Sequence, residues 1–200
     1  MKIIELKNVT KKYRRKTVFS SFSYLFEQGK TYLFVGDNGS GKTTLIKGLL
    51  KLIRFSGGSM KMAPVKYTFL PERIDLPETI TVENFLINIG LIKGVTNIKD
   101  KTVSLLKEWD LEGNKKIKEL SKGMRQKILI IQLLLDDADL YFFDEPLSGL
   151  DSFSRNRFLS LIRELKKNGK TLIISSHYPD HYSYDKILHF ANGEIHEGFN

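Results

Sequence analysis

Gly36-Asp37-Asn38-Gly39-Ser40-Gly41-Lys42-Thr43-Thr44 is the stretch from which the rest of this chain is read. A glycine, four residues and then Gly-Lys-Thr is the spacing of a phosphate-binding loop. Gly39 and Gly41 let the backbone bend with no Cβ in the way. The bent backbone turns successive N–H groups inward at a helix N-terminus, whose dipole favours an anion. Lys42 supplies a compact positive charge for the β- and γ-phosphates of a nucleotide, and Thr43 a hydroxyl ligand for Mg²⁺. The flanks suit the motif. Thr31-Tyr32-Leu33-Phe34-Val35 is β-branched and aromatic and reads as a buried strand. Leu45-Ile46-Lys47-Gly48-Leu49-Leu50 reads as a helix.

The chain has 200 residues, 41% hydrophobic and 28% charged, which fits one domain with a substantial core. It has no cysteine, so disulfides and Cys-based zinc sites are excluded, and a reducing cytoplasm is consistent with this. The start, Met1-Lys2-Ile3-Ile4-Glu5, is too charged for a signal peptide, and no apolar run approaches a membrane span. A separate chain must supply any membrane part. The net charge of +9 permits an anionic partner, but it reads first as a lysine-rich solvated surface. The one tight cluster is Lys11, Lys12, Arg14, Arg15 and Lys16, interrupted by Tyr13.

Outward from the loop, Met1–Val9 alternates like a strand, Lys12–Ser20 reads as a polar turn, and Val18–Phe26 reads as a second strand. Gly57-Gly58-Ser59 reads as a break, and Lys66–Leu70 as a strand stopped by Pro71. Between Glu72 and Lys118 the pattern becomes helical. Val82–Ile92 has Thr79 or Thr81 as a cap, and Lys99–Trp109 repeats its spacing, with Trp109 as packing. Met124–Leu135 is apolar nearly all round in its second half and must be buried. Leu140–Phe143 and Thr171–Ser176 read as buried strands, with an amphipathic helix over Ser154–Lys167 between them. Lys186–Phe190, Asn192-Gly193 and Glu194–Glu197 form a hairpin pattern.

Three side chains complete the chemistry. Asp144 leaves an apolar strand where a carboxylate reaches the magnesium of loop-type nucleotidases. Adjacent residues diverge, so Glu145 is free to orient or deprotonate an attacking water. His177 follows another buried strand, on the edge where open α/β sheets bind ligands, and can donate to a γ-phosphate oxygen. His181, His189 and His196 lack that position and read as structural.

These motifs, in this order, resemble the nucleotide-binding domain of an ATP-binding-cassette (ABC) transporter over essentially the whole chain. Leu120-Ser121-Lys122-Gly123-Met124-Arg125-Gln126-Lys127 resembles the family signature, Leu140–Glu145 the second nucleotide motif and Ser148-Gly149-Leu150-Asp151 the D-loop. His177 resembles the switch histidine, and Tyr13 the aromatic that stacks on adenine.

The resemblance implies an α/β P-loop NTPase core with a mixed β-sheet, an antiparallel β subdomain plus a parallel core, and an inserted helical subdomain. The chain is then one domain, with a RecA-like core at about 1–71 and 126–200 and the helical subdomain at about 72–125. ATP and Mg²⁺ are the implied cofactors. Gly36, Asn38, Gly39, Ser40, Gly41, Lys42, Thr43 and Thr44 hold the phosphates. Thr43, Asp144 and Glu72 serve the metal, and Glu145, His177 and Lys42 are the catalytic set. Ser121 and Gly123 touch the nucleotide of a second ATPase subunit, identical or not, placed head to tail, and Asp151 couples the two sites.

An integral-membrane permease is the other implied partner, at the inner face of the cell membrane. The segment Glu72–Lys118 carries the docking surface, and no nucleic acid is expected. Two departures stand out: Lys122 and Met124 replace a glycine and a glutamine of the signature, and Glu72 replaces the Q-loop glutamine. A carboxylate accepts but cannot donate as an amide does. The altered signature and the missing C-terminal extension resemble bacterial exporters of peptides, antibiotics or similar molecules. The alternatives are a cassette acting on nucleic acid or ribosomes, and a weakly hydrolysing regulatory cassette.

Overall fold

The chain was analysed as a computed structural model that describes residues 1–14, 16–73 and 75–198; Arg15 of the basic cluster lies outside them. The strands are β1 (Lys2–Tyr13), β2 (Lys16–Glu27), β3 (Thr31–Gly36), β4 (Gly57–Met62), β5 (Tyr67–Leu70), β6 (Leu140–Asp144), β7 (Thr171–Ser175), β8 (Lys186–Ala191) and β9 (Glu194–Gly198). The α-helices are α1 (Lys42–Leu49), α2 (Val82–Ile92), α3 (Ile98–Glu108), α4 (Lys122–Leu134) and α5 (Ser152–Lys167). Six strands form one sheet in the order β5-β6-β7-β3-β8-β9, parallel except for β9, while β2-β1-β4 form a separate antiparallel sheet.

Period-two side-chain placement sorts the large sheet into two apolar layers. Leu33, Tyr141, Phe143, Leu172 and Ile174 face one layer, with α4, α5 and the helices between β5 and β6, where Trp109 is fully packed. Tyr32, Phe34, Phe142, Ile173 and Leu188 face the other, closed by α1 and the antiparallel sheet. The central strands β3, β6 and β7 are buried along their length, which explains why each reads as a continuous apolar run.

Several expectations need correction. Lys12–Ser20 is not a turn: Lys12 and Tyr13 end β1, Lys16–Ser20 open β2, and Lys12 pairs with Thr17. Lysine-rich polarity there marks an exposed sheet surface. Gly57-Gly58-Ser59 does not break the chain but begins β4. Gly58 has φ +81°, and a Cβ on it would collide with the carbonyl of Asn8, where β1 slips its register against β4. The glycine permits strand pairing past an irregularity. The helix expected from Met124 starts at Lys122, because the Ser121 hydroxyl accepts from Met124 N at 3.3 Å and caps it. Of the two cap candidates for α2 it is Thr81 that accepts from Asn84 N. Asn192 and Gly193, at φ +51° and +81°, make the β8–β9 turn as read.

The order β6-β7-β3 sets the carboxyl ends of three adjacent parallel strands side by side. Gly36, Asp144 and Ser175 end those strands, and the loops that leave them form one rim.

Candidate functional site

The phosphate loop runs from the end of β3 into α1. Gly36, Gly39 and Gly41 take φ +150°, +79° and +114°, and a Cβ on Gly36 would strike the Phe190 carbonyl. Ser40 N donates to Asp37 O at 3.1 Å, closing the turn. Lys42 is 5% exposed; its Nζ donates to Gly36 O at 2.5 Å and Asp37 O at 3.2 Å and lies 3.7 Å from Glu145 Oε1. Burial lowers the Lys42 pKa, opposed by the carboxylates of Glu145, Asp144 and Asp37.

Asp144, at the end of β6, is 2% exposed. Its Oδ1 accepts from Thr43 Oγ1 at 2.9 Å and from Ser175 Oγ at 2.6 Å. Ser175 Oγ also accepts from Glu145 N at 3.0 Å, and Glu145 N reaches Ser175 O at 3.2 Å. These bonds hold Glu145 at φ +47°, a left-handed conformation that a non-glycine residue keeps only when its surroundings fix it. Its Oε1 lies 3.1 Å from His177 Nε2, which is itself 2.8 Å from Asn38 Oδ1. Burial raises the Glu145 pKa, and His177 and Lys42 partly offset this.

A cavity of about 140 Å³ is lined by residues 38–44, Glu72 and Glu145. A second, of about 360 Å³, shares Asn38, Glu72 and Glu145 and continues past His177 to Ser148, Gly149, Arg155 and His181. Two buried polar atoms here are left short of hydrogen bonds among the described residues: Ser40 Oγ has none, and Glu145 Oε1 has only its ionic contacts with His177 and Lys42. They suit a phosphate and a water. The Thr43 hydroxyl touching the Asp144 carboxylate is a hard-oxygen pair suited to Mg²⁺. Among the described residues no group of three or more His, Asp or Glu side chains is set to hold a metal. A bound Mg²⁺ would therefore complete its shell with phosphate oxygens and water.

The fold thus brings together Gly36–Thr44, Asp144, Glu145 and His177, with Glu72 on the wall, where it lies 3.4 Å from Arg73 Nε. Tyr13, Ser121, Gly123 and Asp151 do not line either cavity. The Tyr13 ring is 49% exposed and carries the Lys11 ammonium 4.4 Å from its centroid. Ser121 caps α4. Asp151 caps α5, accepting from Ser154 N at 2.7 Å and Ser154 Oγ at 3.0 Å, and those bonds hold its carboxyl below the ordinary range. Sequence reasoning missed Ser175, whose signal is a polar residue closing an apolar strand. It also missed His181, read as structural, which stacks on Tyr178 and lines the larger cavity. Arg155 gave no sequence signal.

Charge is divided unevenly along the chain. Residues 1–71, which include the loop, hold 14 Lys and Arg against three Asp and Glu, whereas residues 72–200 hold 18 against 20.

Comparison with known proteins agrees with this geometry. The family model described as ABC transporter matches residues 19–148. An ABC transporter ATP-binding protein of Synechocystis is 34% identical over 86% of this chain and 54% of its own length. The manganese transport system ATP-binding protein MntB of Listeria monocytogenes is 32% identical, over 87% of this chain and 80% of its own. The linearmycin resistance ATP-binding protein LnrL of Bacillus subtilis is 28% identical, over 96% and 68%. The chain spans about half the length of the first of these relatives and more of the others. A dimeric ATP-binding cassette solved in a post-hydrolysis state with ADP and phosphate superposes with a TM-score of 0.88 over 98% of both chains, at 21% identity.

Proposed function

Because this chain belongs to the ABC transporter family, as an ATP-binding ATPase domain of it, we propose that it hydrolyses Mg-ATP as one half of a head-to-tail pair and so drives a separate membrane permease. The observation that carries this reading is the convergence of Lys42, the Thr43–Asp144 pair and the Glu145–His177 pair at the ends of three adjacent strands.

In this reading the loop amides and Lys42 bind the β- and γ-phosphates. Thr43 and Asp144 hold Mg²⁺, which when bound neutralises phosphate charge. Glu145 orients the attacking water and takes its proton, while His177 and Asn38 face the γ-phosphate. Tyr13 serves the adenine ring. Ser121 and Gly123 act on the nucleotide of the second ATPase subunit, which agrees with their lying outside this chain's own cavities. Asp151 couples the two sites across the pair. Residues 72–125 form the helical unit, with the core at about 1–71 and 126–200, and Glu72–Lys118 offers the surface for the permease. No helix among the described residues is long and apolar enough to cross a membrane, so the membrane partner is a different chain or segment. We place the assembly at the inner face of the cell membrane and its cargo among peptides, antibiotics or similar molecules. The similarity to a linearmycin resistance protein supports that cargo class.

Titration calorimetry with Mg-ATP, followed by phosphate release on the same sample, tests the proposal. Heat of binding and steady release support it; no heat sinks it. Glu72 provides a narrower test. It lies on the wall of both cavities, and its substitution by glutamine removes one negative charge and adds a donor. Glu72→Gln is expected to change turnover severalfold while Kd for Mg-ATP stays within about threefold, a small fraction of the binding energy. A large loss of affinity at constant turnover contradicts that assignment.

A further inference from the structure

Glu145 keeps its left-handed backbone by bonds on both sides. Ser175 accepts from its N–H, and its carbonyl accepts from Ser148 N at 3.1 Å, closing a turn over residues 145–148. That turn is gripped by the first turns of α4. Lys122 Nζ donates to Ser148 Oγ at 3.3 Å. The Lys122 stem lies 3.3–3.4 Å from where a Cβ on Gly149 would stand, and a Cβ on Gly123 would come within 2.6 Å of Gly149 O. Deeper in, Gln126 Nε2 donates to Pro146 O at 3.4 Å and Lys127 Nζ lies 3.7 Å from Asp151 Oδ2. Four side chains or backbone positions of one helix thus touch one six-residue segment. Lys122 and Gln126 also line an open groove of about 440 Å³, together with Glu72, Arg125 and Leu129.

We propose that Lys122 is a positioning residue for hydrolysis: through Ser148 and Gly149 it holds the turn that fixes the backbone of Glu145. The proposal rests on the reading of Glu145 as the residue that activates water. A lysine is suited to this contact because its four-carbon stem covers Gly149 while the ammonium reaches the hydroxyl beyond it. A residue with no side chain would leave the turn held by backbone contacts and Gln126 only. The chain's departure at this position thus adds a contact to its own catalytic turn.

The test combines kinetics with amide hydrogen exchange on the full chain. Lys122→Ala is expected to lower kcat about fivefold, the size of one exposed hydrogen bond, with KM for Mg-ATP within about twofold. Ser148→Ala is expected to match it, the double variant to be no slower than either, and Lys122→Arg to restore most of the rate. Exchange at residues 147–150 is expected to quicken in Lys122→Ala while α4 stays protected. An unchanged or higher kcat, additive losses, or a raised KM at constant kcat overturns the proposal; the last would mean that the ammonium acts on nucleotide. If the wild-type chain releases no phosphate, the hydrolytic reading fails by itself. Exchange at 147–150 then still decides whether Lys122 holds the turn, since unchanged exchange removes that role and faster exchange retains it.

Discussion

Replacing Lys42 by alanine is expected to weaken Mg-ATP binding by about 100-fold or more. The ammonium is buried, donates to the carbonyls of Gly36 and Asp37, and stands 3.7 Å from Glu145, at the centre of the loop cavity. Under the proposed function those donors would turn to phosphate oxygens on nucleotide binding. A charge-assisted hydrogen bond contributes about 1.5–3 kcal/mol, so losing two of them costs about 3 kcal/mol or more. That is about two orders of magnitude in Kd. Lys42 also fills space, so Lys42→Met, which retains most of the stem, separates lost charge from lost packing. Both variants should bind poorly while their thermal unfolding differs. Affinity equal to wild type in the methionine variant would show that the loop is not the phosphate site.

Glu145→Gln carries the second large effect. The amide keeps the shape of the side chain and its place beside His177 but takes no proton from water. Hydrolysis is expected to fall by about 10²- to 10³-fold, within the usual contribution of a positioned general base. Nucleotide affinity should hold or rise, because a negative charge has left the neighbourhood of the triphosphate. The same assignment predicts the pH profile. Burial raises the Glu145 pKa, so its base form is lost on acidification at a higher pH than for an ordinary carboxylate. The acid limb of kcat/KM in the wild type should lie above the ordinary carboxylate range, and it should vanish in Glu145→Gln. Equal turnover in wild type and variant would remove Glu145 from the chemistry.

The legible parts were those whose cause is local. Glycines and a lysine at fixed spacing after an apolar strand specify the phosphate loop because the ligand is bound by consecutive backbone groups. The carboxylates after Phe143 and the histidine after Ser176 followed from strand ends. Parts that depend on contacts between distant segments were not legible. Gly57-Gly58-Ser59 looks like a breaker until the carbonyl of Asn8, some fifty residues earlier, is found where a side chain would be. Ser175 is unremarked until β7 lies between β6 and β3 and its hydroxyl meets Asp144. The Lys122 substitution in the signature-like segment was visible, but its partner Ser148 was not, because α4 and the segment after β6 meet only in the folded chain.

The lopsided charge has a kinetic consequence. A polyanion near residues 1–71, the segment that carries the loop, faces 14 basic against three acidic side chains, and near residues 72–200 it faces 18 against 20. Encounters are thereby biased toward the productive side before any specific contact forms. Such bias works through the solvent and fades as the Debye length contracts, from about 8 Å at physiological ionic strength to about 3 Å in molar salt. In stopped-flow traces, nucleotide capture should therefore slow by about tenfold as salt rises across that range, whereas escape changes little.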